Sequence, residues 1–86
     1  MISKDFHKAK VHTAVTPGES LRIVRELQQL SQNKLAELTG VPQSNISAIE
    51  NGTSKLGRER AIIFAKALKV HPAVLLFPDY DVNQAA

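Results

Sequence analysis

The sequence predicts an all-α domain: a compact bundle of five short helices behind a short N-terminal arm. One observation is periodicity, because apolar residues between positions 17 and 77 recur at helical spacings of three and four. Another is the placement of helix start and stop signals, because hydroxyl residues, prolines and glycines divide this region into helix-sized segments. A third is size, since 86 residues with 43% hydrophobic content suit one small core. We therefore divide the chain into an arm (residues 1–15), a domain (16–78) and a tail (79–86).

The first helix has a clear start. Thr16 can cap it, Pro17 suits its first position, and Glu19 can return a hydrogen bond to the cap backbone. We expect this helix to continue through residue 30. Its expected inner face comprises Leu21, Ile23, Val24, Leu27 and Leu30. The arginines on the outside, Arg22 and Arg25, are interpreted as a solvated face rather than a binding element.

A helix, a tight turn and a second helix are predicted over residues 31–52. Ser31 is a good N-cap, and Gly40 permits the positive φ that a sharp turn requires. Pro42 is expected in the first turn of the next helix, whose Ile46 and Ile49 face inward. The expected inner residues of the preceding helix are Leu35, Ala36 and Leu38. The outer face of the second helix carries small, neutral side chains that can approach a base edge: Gln43, Ser44, Asn45, Ser47 and Ala48.

Two further helices complete the predicted bundle. Leu56 is the inward residue of a polar loop, and a helix follows over residues 58–69. Its expected apolar face comprises Ala61, Ile62, Ile63, Phe64, Ala65 and Leu68. His71 is interpreted as the N-cap of a last helix, residues 72–77. Its apolar residues 74–77 close the core, and the end of this helix is a second candidate as a dimer contact.

The arm is basic and shows a short alternation of apolar and polar residues over positions 10–15. Its cations and histidines are Lys4, His7, Lys8, Lys10 and His12. Three interpretations are open: a flexible terminus, a strand that pairs with a partner or second subunit, and a basic arm that contacts phosphates or a minor groove.

The composition argues against several classes of protein. The chain has no cysteine, which excludes disulfides and thiolate zinc sites. It has no apolar run that could span a membrane and no signal-peptide pattern at its start, so we expect a cytoplasmic protein. There is no glycine-flanked serine elbow or phosphate-binding glycine run, and we predict no enzyme, metal or cofactor. The net charge of +3 is compatible with a polyanionic partner.

One set of residues at fixed spacings is more specific: Ser31, Gln32, Leu35, Ala36, Gly40, Val41, Ser44, Ile46, Ser47, Ile49, Glu50, Asn51 and Gly52. This pattern resembles the helix-turn-helix of the phage Cro and repressor family, also called the XRE family. With its flanking helices the resemblance covers residues 17–78, and it implies a lambda-repressor-like fold and a DNA-binding transcriptional regulator, expected to be a repressor. Three positions depart from the family pattern. They are Lys34 in place of a frequent capping Glu, Pro42 in place of Ser or Thr, and Lys69 in place of Gly or Asn.

The resemblance implies that residues 43–50 enter the major groove of operator DNA. The implied base contacts are Gln43, Ser44, Asn45, Ser47 and Ala48. The implied contacts to the DNA backbone are Gln32, Asn51, Thr53, Lys55 and Arg58. Because one such domain makes few base contacts, we expect a homodimer on two half-sites.

Residues 70–78, together with the short arm, also resemble the small HigA-like antitoxins of toxin–antitoxin pairs. In such pairs the antitoxin represses its own operon and binds a RelE-type toxin, which would here contact the arm or the C-terminal end. An alternative from another class is a protein-interaction adaptor that keeps the fold without binding specific DNA. The hydrogen-bonding groups on the outer face of residues 43–48 argue mildly against an adaptor.

Overall fold

The computed structural model describes residues 15–78, and this part of the chain contains five helices and no strand. The helices are α1 (Pro17–Leu27), α2 (Gln32–Thr39), α3 (Gln43–Glu50), α4 (Arg58–Leu68) and α5 (Pro72–Leu76). The all-α, five-helix prediction is therefore confirmed. The predicted tail, and the arm up to residue 14, lie outside the described residues.

Three predicted helix caps are confirmed. Thr16 and Glu19 form a reciprocal capping box at α1, with two hydrogen bonds of 3.1 Å. The Ser31 hydroxyl accepts from the backbone N–H of the third residue of α2 at 2.9 Å. His71 Nδ1 accepts from the N–H of Ala73 at 3.0 Å at the start of α5. Pro42, by contrast, is the N-cap of α3 rather than its first helical residue.

Two helices end on a left-handed residue that carries a side chain. Gln29 and Lys69 both have φ of 60°, and in each case the next N–H returns to a carbonyl five residues back. This is the Schellman arrangement, in which a left-handed residue satisfies the open carbonyls of a helix end. The turn at Gln29 ends α1 at Leu27, three residues before the predicted end. The left-handed conformation of Lys69 explains why glycine or asparagine suits that position.

The core lies between all five helices and contains about half of the predicted inner residues; four more, Val24, Leu30, Ala36 and Leu76, are partly buried against it. Its buried apolar members are Leu21, Leu35, Val41, Ile46, Ile49, Leu56, Ala61, Phe64, Ala65, Leu68 and Leu75. On α4 the buried residues follow the helical spacing i, i+3, i+4, i+7 without exception.

Several apolar residues that we placed in the core are instead exposed: Ile23, Leu27, Leu38, Ile62, Ile63, Val74 and Phe77. Leu27 is the clearest case, at 77% exposed. It lies six residues after the buried Leu21, which is roughly 120° around the helix from it. Here the helical angle, and not the apolar character, decides burial.

Gly18 allows α1 to approach α3 closely. A Cβ atom at this position would overlap the carbonyl oxygen of Ile49 and lie 3.0 Å from its carbonyl carbon. Because the obstacle is backbone, it cannot rotate away as a flexible side chain would. The contact therefore sets the distance at which α3 is held against the N-terminal turn of α1.

We predict that Gly18→Ala lowers the free energy of unfolding by about 3 kcal/mol, since the two helices must separate to accept the methyl group. The matched control is Gly57→Ala, because a Cβ there meets nothing within 4 Å and its φ is an ordinary −83°. The control should cost no more than about 1 kcal/mol, as a changed helix cap. Urea denaturation of both variants measures this, and equal losses would contradict the close-packing argument.

Candidate nucleic-acid interface

The link between α2 and α3 is short and tightly bonded. Gly40 ends α2 in the left-handed region, with φ of 80°, and its N–H donates to the carbonyl of Ala36. The Thr39 hydroxyl donates to the carbonyl of Leu35 at 2.8 Å and accepts from the N–H of Val41 at 3.2 Å. Since Val41 is itself buried, the turn is anchored to the core and fixes where α3 begins.

The third helix has an apolar inner face and a neutral polar outer face. Ile46 and Ile49 are 0% and 3% exposed, as predicted. Gln43 and Ser44 at the N-terminal end are exposed, whereas Asn45, Ser47 and Ala48 are half-buried. The helix carries no ionisable side chain on its outer face, because its one carboxylate, Glu50, is buried. The N-terminal end of α3 is therefore the part with the most open access to a ligand.

A buried ion pair joins α1 to the end of α3. Arg25 donates from Nε to Glu50 Oε2 at 2.7 Å and from Nη2 to Glu50 Oε1 at 2.8 Å. Its remaining nitrogen, Nη1, donates to the carbonyl of Leu30 at 2.7 Å. The hydrogen bonds with Glu50 are the main cause that raises the pKa of Arg25, with burial opposing them and the charges of Glu50 and Glu26 adding to the rise. The arginine remains charged, and it connects α1, the α1–α2 link and α3.

The sequence-based interpretation of Arg25 as a solvated residue is thus wrong. Arg25 lies four residues after Leu21, on the inner face of α1, and is only 7% exposed. That spacing was the signal that could have identified it, together with a carboxylate near the end of α3. Arg22 does lie on the solvated side, where it pairs loosely with Glu26 at 3.4 Å.

The ion pair continues outward through two glutamine side chains. Gln32 Nε2 donates to Glu50 Oε1 at 2.9 Å, and Gln43 Nε2 donates to Gln32 Oε1 at 2.7 Å. We call these four residues, Arg25, Glu50, Gln32 and Gln43, the polar network. It extends from the protein interior to the exposed first residue of α3.

The loop after α3 places polar and cationic side chains beside the end of that helix. Asn51 Oδ1 accepts from the N–H and the hydroxyl of Thr53, and Ser54 donates its N–H to the carbonyl of Ala48 at 3.0 Å. Lys55 and Arg58, which follow, are exposed. The loop is therefore ordered by its own hydrogen bonds. Lys55 on the loop and Arg58 at the start of α4 are both accessible.

Other kinds of site are not evident in the part of the chain that the structure describes. Residues 15–78 contain no group of three or more side chains suited to bind a metal ion. Among these residues there is also no helix with the length and apolar character needed to cross a membrane. An open, mainly apolar groove of about 670 Å³ lies at the C-terminal end and is lined by Ala73, Val74, Phe77 and Pro78.

Two helices joined by a tight turn, the second exposing a polar face, define a helix-turn-helix domain. The chain belongs to the helix-turn-helix family HTH_3, of XRE type, whose profile matches residues 21–75. Members of this family are DNA-binding regulators and not enzymes.

Characterised and uncharacterised regulators are among its relatives. The chain is 38% identical over 56 residues to the HTH-type transcriptional regulator y4wC of Sinorhizobium fredii, covering 65% of this chain and 39% of the relative. It is 43% identical over 54 residues to the HTH-type transcriptional repressor RghR of Bacillus subtilis, covering 62% of this chain and 40% of the relative. The chain thus spans about two-fifths of the length of these two relatives.

Two solved structures share the fold along almost their whole length. One is the restriction-modification controller protein C.AhdI from Aeromonas hydrophila, with a TM-score of 0.67 and 32% identity, covering 72% of this chain and 94% of that one. The other is the P22 c2 repressor protein in complex with a synthetic operator, with a TM-score of 0.70 and 29% identity, covering 77% of this chain and 100% of that one. The predicted lambda-repressor-like architecture is confirmed.

We predict that Arg25→Ala lowers the free energy of unfolding by about 3–5 kcal/mol, because it leaves the buried Glu50 carboxylate without its charged partner. The matched control is Arg22→Ala on the same helix, whose exposed pair with Glu26 contributes at most about 0.5 kcal/mol. Thermal and urea denaturation measure both. Similar losses in the two variants would show that the buried pair is not a special contributor to stability.

Proposed function

We propose that this protein is a sequence-specific DNA-binding repressor of transcription. The observation that carries the proposal is the outer face of α3, where neutral hydrogen-bonding side chains are exposed beside accessible cations. The family membership and the operator-bound P22 c2 repressor among the structural neighbours support it.

The proposed interaction places α3 in the major groove. A helix with its side chains is about 10–12 Å wide, and the major groove of B-DNA is about 12 Å wide. The proposed base contacts are Gln43, Ser44, Asn45, Ser47 and Ala48. Gln43 is the strongest of these candidates, since a glutamine amide can bond the N6 and N7 positions of adenine together. Ala48 can pack against a thymine methyl group.

The proposed contacts to the DNA backbone flank α3 on both sides. They are Gln32, Asn51, Thr53, Lys55 and Arg58. Gln32 is the first residue of α2, where open backbone N–H groups favour a phosphate. Lys55 and Arg58 supply the positive charge that α3 itself lacks. In this arrangement the flanking residues position the domain, and α3 selects the sequence.

We propose that the protein acts as a homodimer on DNA. Each good base contact supplies about 1–3 kcal/mol of discrimination, so one short helix discriminates weakly among the many competing sites of a genome. Two copies related by a two-fold axis would place two α3 helices roughly 34 Å apart, on one side of the duplex.

The prediction that tests DNA recognition compares Gln43→Ala with Lys55→Ala. Gln43→Ala should remove about 1–3 kcal/mol of discrimination at one base pair of each half-site. Lys55→Ala should weaken binding to cognate and unrelated duplexes alike, and reduce the salt slope by about one. Titrations at several salt concentrations measure both, using a duplex that the wild-type protein selects from a random pool.

The matched control is Lys66→Ala, which removes an exposed lysine outside the proposed contacts and should leave affinity and salt slope unchanged. A stoichiometry of two chains per duplex is expected. Selection of no sequence, with only weak and sequence-independent binding, would favour the protein-interaction adaptor. Unchanged cognate binding in both the Gln43 and the Lys55 variants would overturn the placement of α3.

We further propose that the repressor is the antitoxin of a toxin–antitoxin pair. Residues 70–78 resemble the HigA-like antitoxins, and the same segment leaves Val74 and Phe77 exposed beside the apolar groove at the C-terminal end. An exposed apolar groove of this kind is typical of a surface that binds another protein. The proposed partner is a RelE-type toxin encoded by the adjacent gene.

We predict that co-expression with the product of the adjacent gene yields a stoichiometric complex that survives gel filtration. Phe77→Asp should break this complex, because it places a charge in the groove, whereas the exposed Ile62→Asp on α4 is the control and should retain it. A plain regulator would form no complex, and that result would remove the antitoxin proposal while leaving the repressor proposal unaffected.

A further inference from the structure

The exposed amide of Gln43 has a fixed orientation in this structure. Its nitrogen donates to Gln32 Oε1 at 2.7 Å, so its carbonyl oxygen points away from that contact. Gln32 in turn directs its own nitrogen to Glu50 Oε1 at 2.9 Å. Both glutamine side chains therefore have the same polarity, with nitrogen directed toward the interior carboxylate.

The chemistry of a carboxylate explains this polarity. An ionised carboxylate only accepts hydrogen bonds, whereas an amide presents a donor at one end and an acceptor at the other. If Gln32 were turned over, its oxygen would face the oxygen of Glu50. With Gln32 in the permitted orientation, its oxygen faces Gln43, which must then present its nitrogen.

The Glu50 carboxylate, at the buried end of these hydrogen bonds, is itself held in place. Glu50 is 5% exposed, and it receives two hydrogen bonds from Arg25 in addition to the one from Gln32. Every buried side-chain nitrogen and oxygen among residues 15–78 has a hydrogen-bond partner, so no unpaired buried group drives a rearrangement of the network.

We infer that Glu50 is a positioning residue for base selection: acting through Gln32, it holds the Gln43 amide in the one polarity that favours adenine over guanine. This inference rests on the proposed DNA-binding function. In this inference a buried carboxylate, which touches no base, decides which base the exposed glutamine prefers.

The preference for adenine over guanine follows from the hydrogen-bonding groups that each base presents in the major groove. Adenine offers an acceptor at N7 and a donor at N6. In a fixed Gln43, the amide N–H that is not bonded to Gln32 can donate to N7, and the carbonyl oxygen can accept from N6. Guanine offers acceptors at both N7 and O6, so the fixed oxygen of Gln43 faces O6 without a hydrogen between them. A free amide escapes this repulsion by turning its NH₂ group toward O6, and a fixed amide does not.

The test measures the ratio of affinities for two duplexes that differ by adenine or guanine at the base pair assigned to Gln43. Glu50→Gln should reduce this ratio about tenfold, because an amide at residue 50 no longer imposes one polarity on Gln32. The same change made in a Gln32→Met background should have no further effect on the ratio, since the connection to Gln43 is already absent.

Two controls separate positioning from a general loss of structure. Leu68→Ala destabilises the core on α4 without touching the polar network, and should leave the adenine-to-guanine ratio unchanged. Gln32→Met keeps the buried ion pair and should by itself lower the ratio. An unchanged ratio in Gln32→Met would therefore overturn the inference even if Glu50→Gln proves too unstable to fold.

A measurement on the DNA-free protein tests the contact itself. In the ¹H–¹⁵N spectrum, one of the two Nε2 protons of Gln43 should be displaced from its position in a solvated glutamine, because that proton is bonded to Gln32. Gln32→Met and Glu50→Gln should both move this signal toward that of a solvated glutamine.

The outcomes distinguish the inference from the function on which it rests. If the wild-type protein selects a sequence but neither Gln32→Met nor Glu50→Gln changes the ratio, the positioning role is overturned and DNA recognition is retained. If Glu50→Gln has the same effect in both backgrounds, its action does not pass through Gln32 and the inference fails. If the wild-type protein selects no sequence, the proposed function fails and this inference fails with it.

Discussion

The bidentate pair between Arg25 and Glu50 is the interaction on which the rest of the structure depends. It joins α1 to α3 through two residues that are 25 positions apart in the chain, and the same guanidinium binds the carbonyl of Leu30 in the link to α2. Two buried charges have a large desolvation cost, which is offset here because every polar atom of the pair is bonded. Because its hydrogen bonds are directional, the pair restricts the orientation of α3 more than apolar packing alone would.

Selectivity and affinity are assigned to different residues in the proposed interface. The outer face of α3 is neutral, so it offers hydrogen bonds without a non-specific electrostatic attraction to phosphates. The cations lie after the helix: Lys55 is on a loop ordered by the turn at Asn51, and Arg58 is the first residue of α4. This separation suits a protein that must move among non-specific sites through charge and select one of them through base edges.

Much of the fold was predictable because it depends on local chemistry. The caps at Thr16, Ser31 and His71 and the turn at Gly40 involve residues within a few positions of each other, and all were confirmed. The DNA contacts remain predictions, although the structure leaves Gln43 and Ser44 exposed, as DNA binding requires. The errors concerned which helix face a residue occupies: Leu27 was assigned to the core from its spacing of three after Val24, and Arg25 to the surface from its charge.

The sequence by itself determined the five helices, the side-chain caps at the start of three of them, the helix-turn-helix pattern and the family, because each is encoded in side chains at short, fixed spacings. Only the tertiary structure decided that Arg25 is buried on Glu50, and that this carboxylate is hydrogen-bonded to Gln32, which is bonded in turn to Gln43 at the start of α3. Those contacts join residues that are 11–25 positions apart. They exist because Gly18 lets α1 approach α3 closely, and such an approach depends on how helices pack rather than on any local pattern.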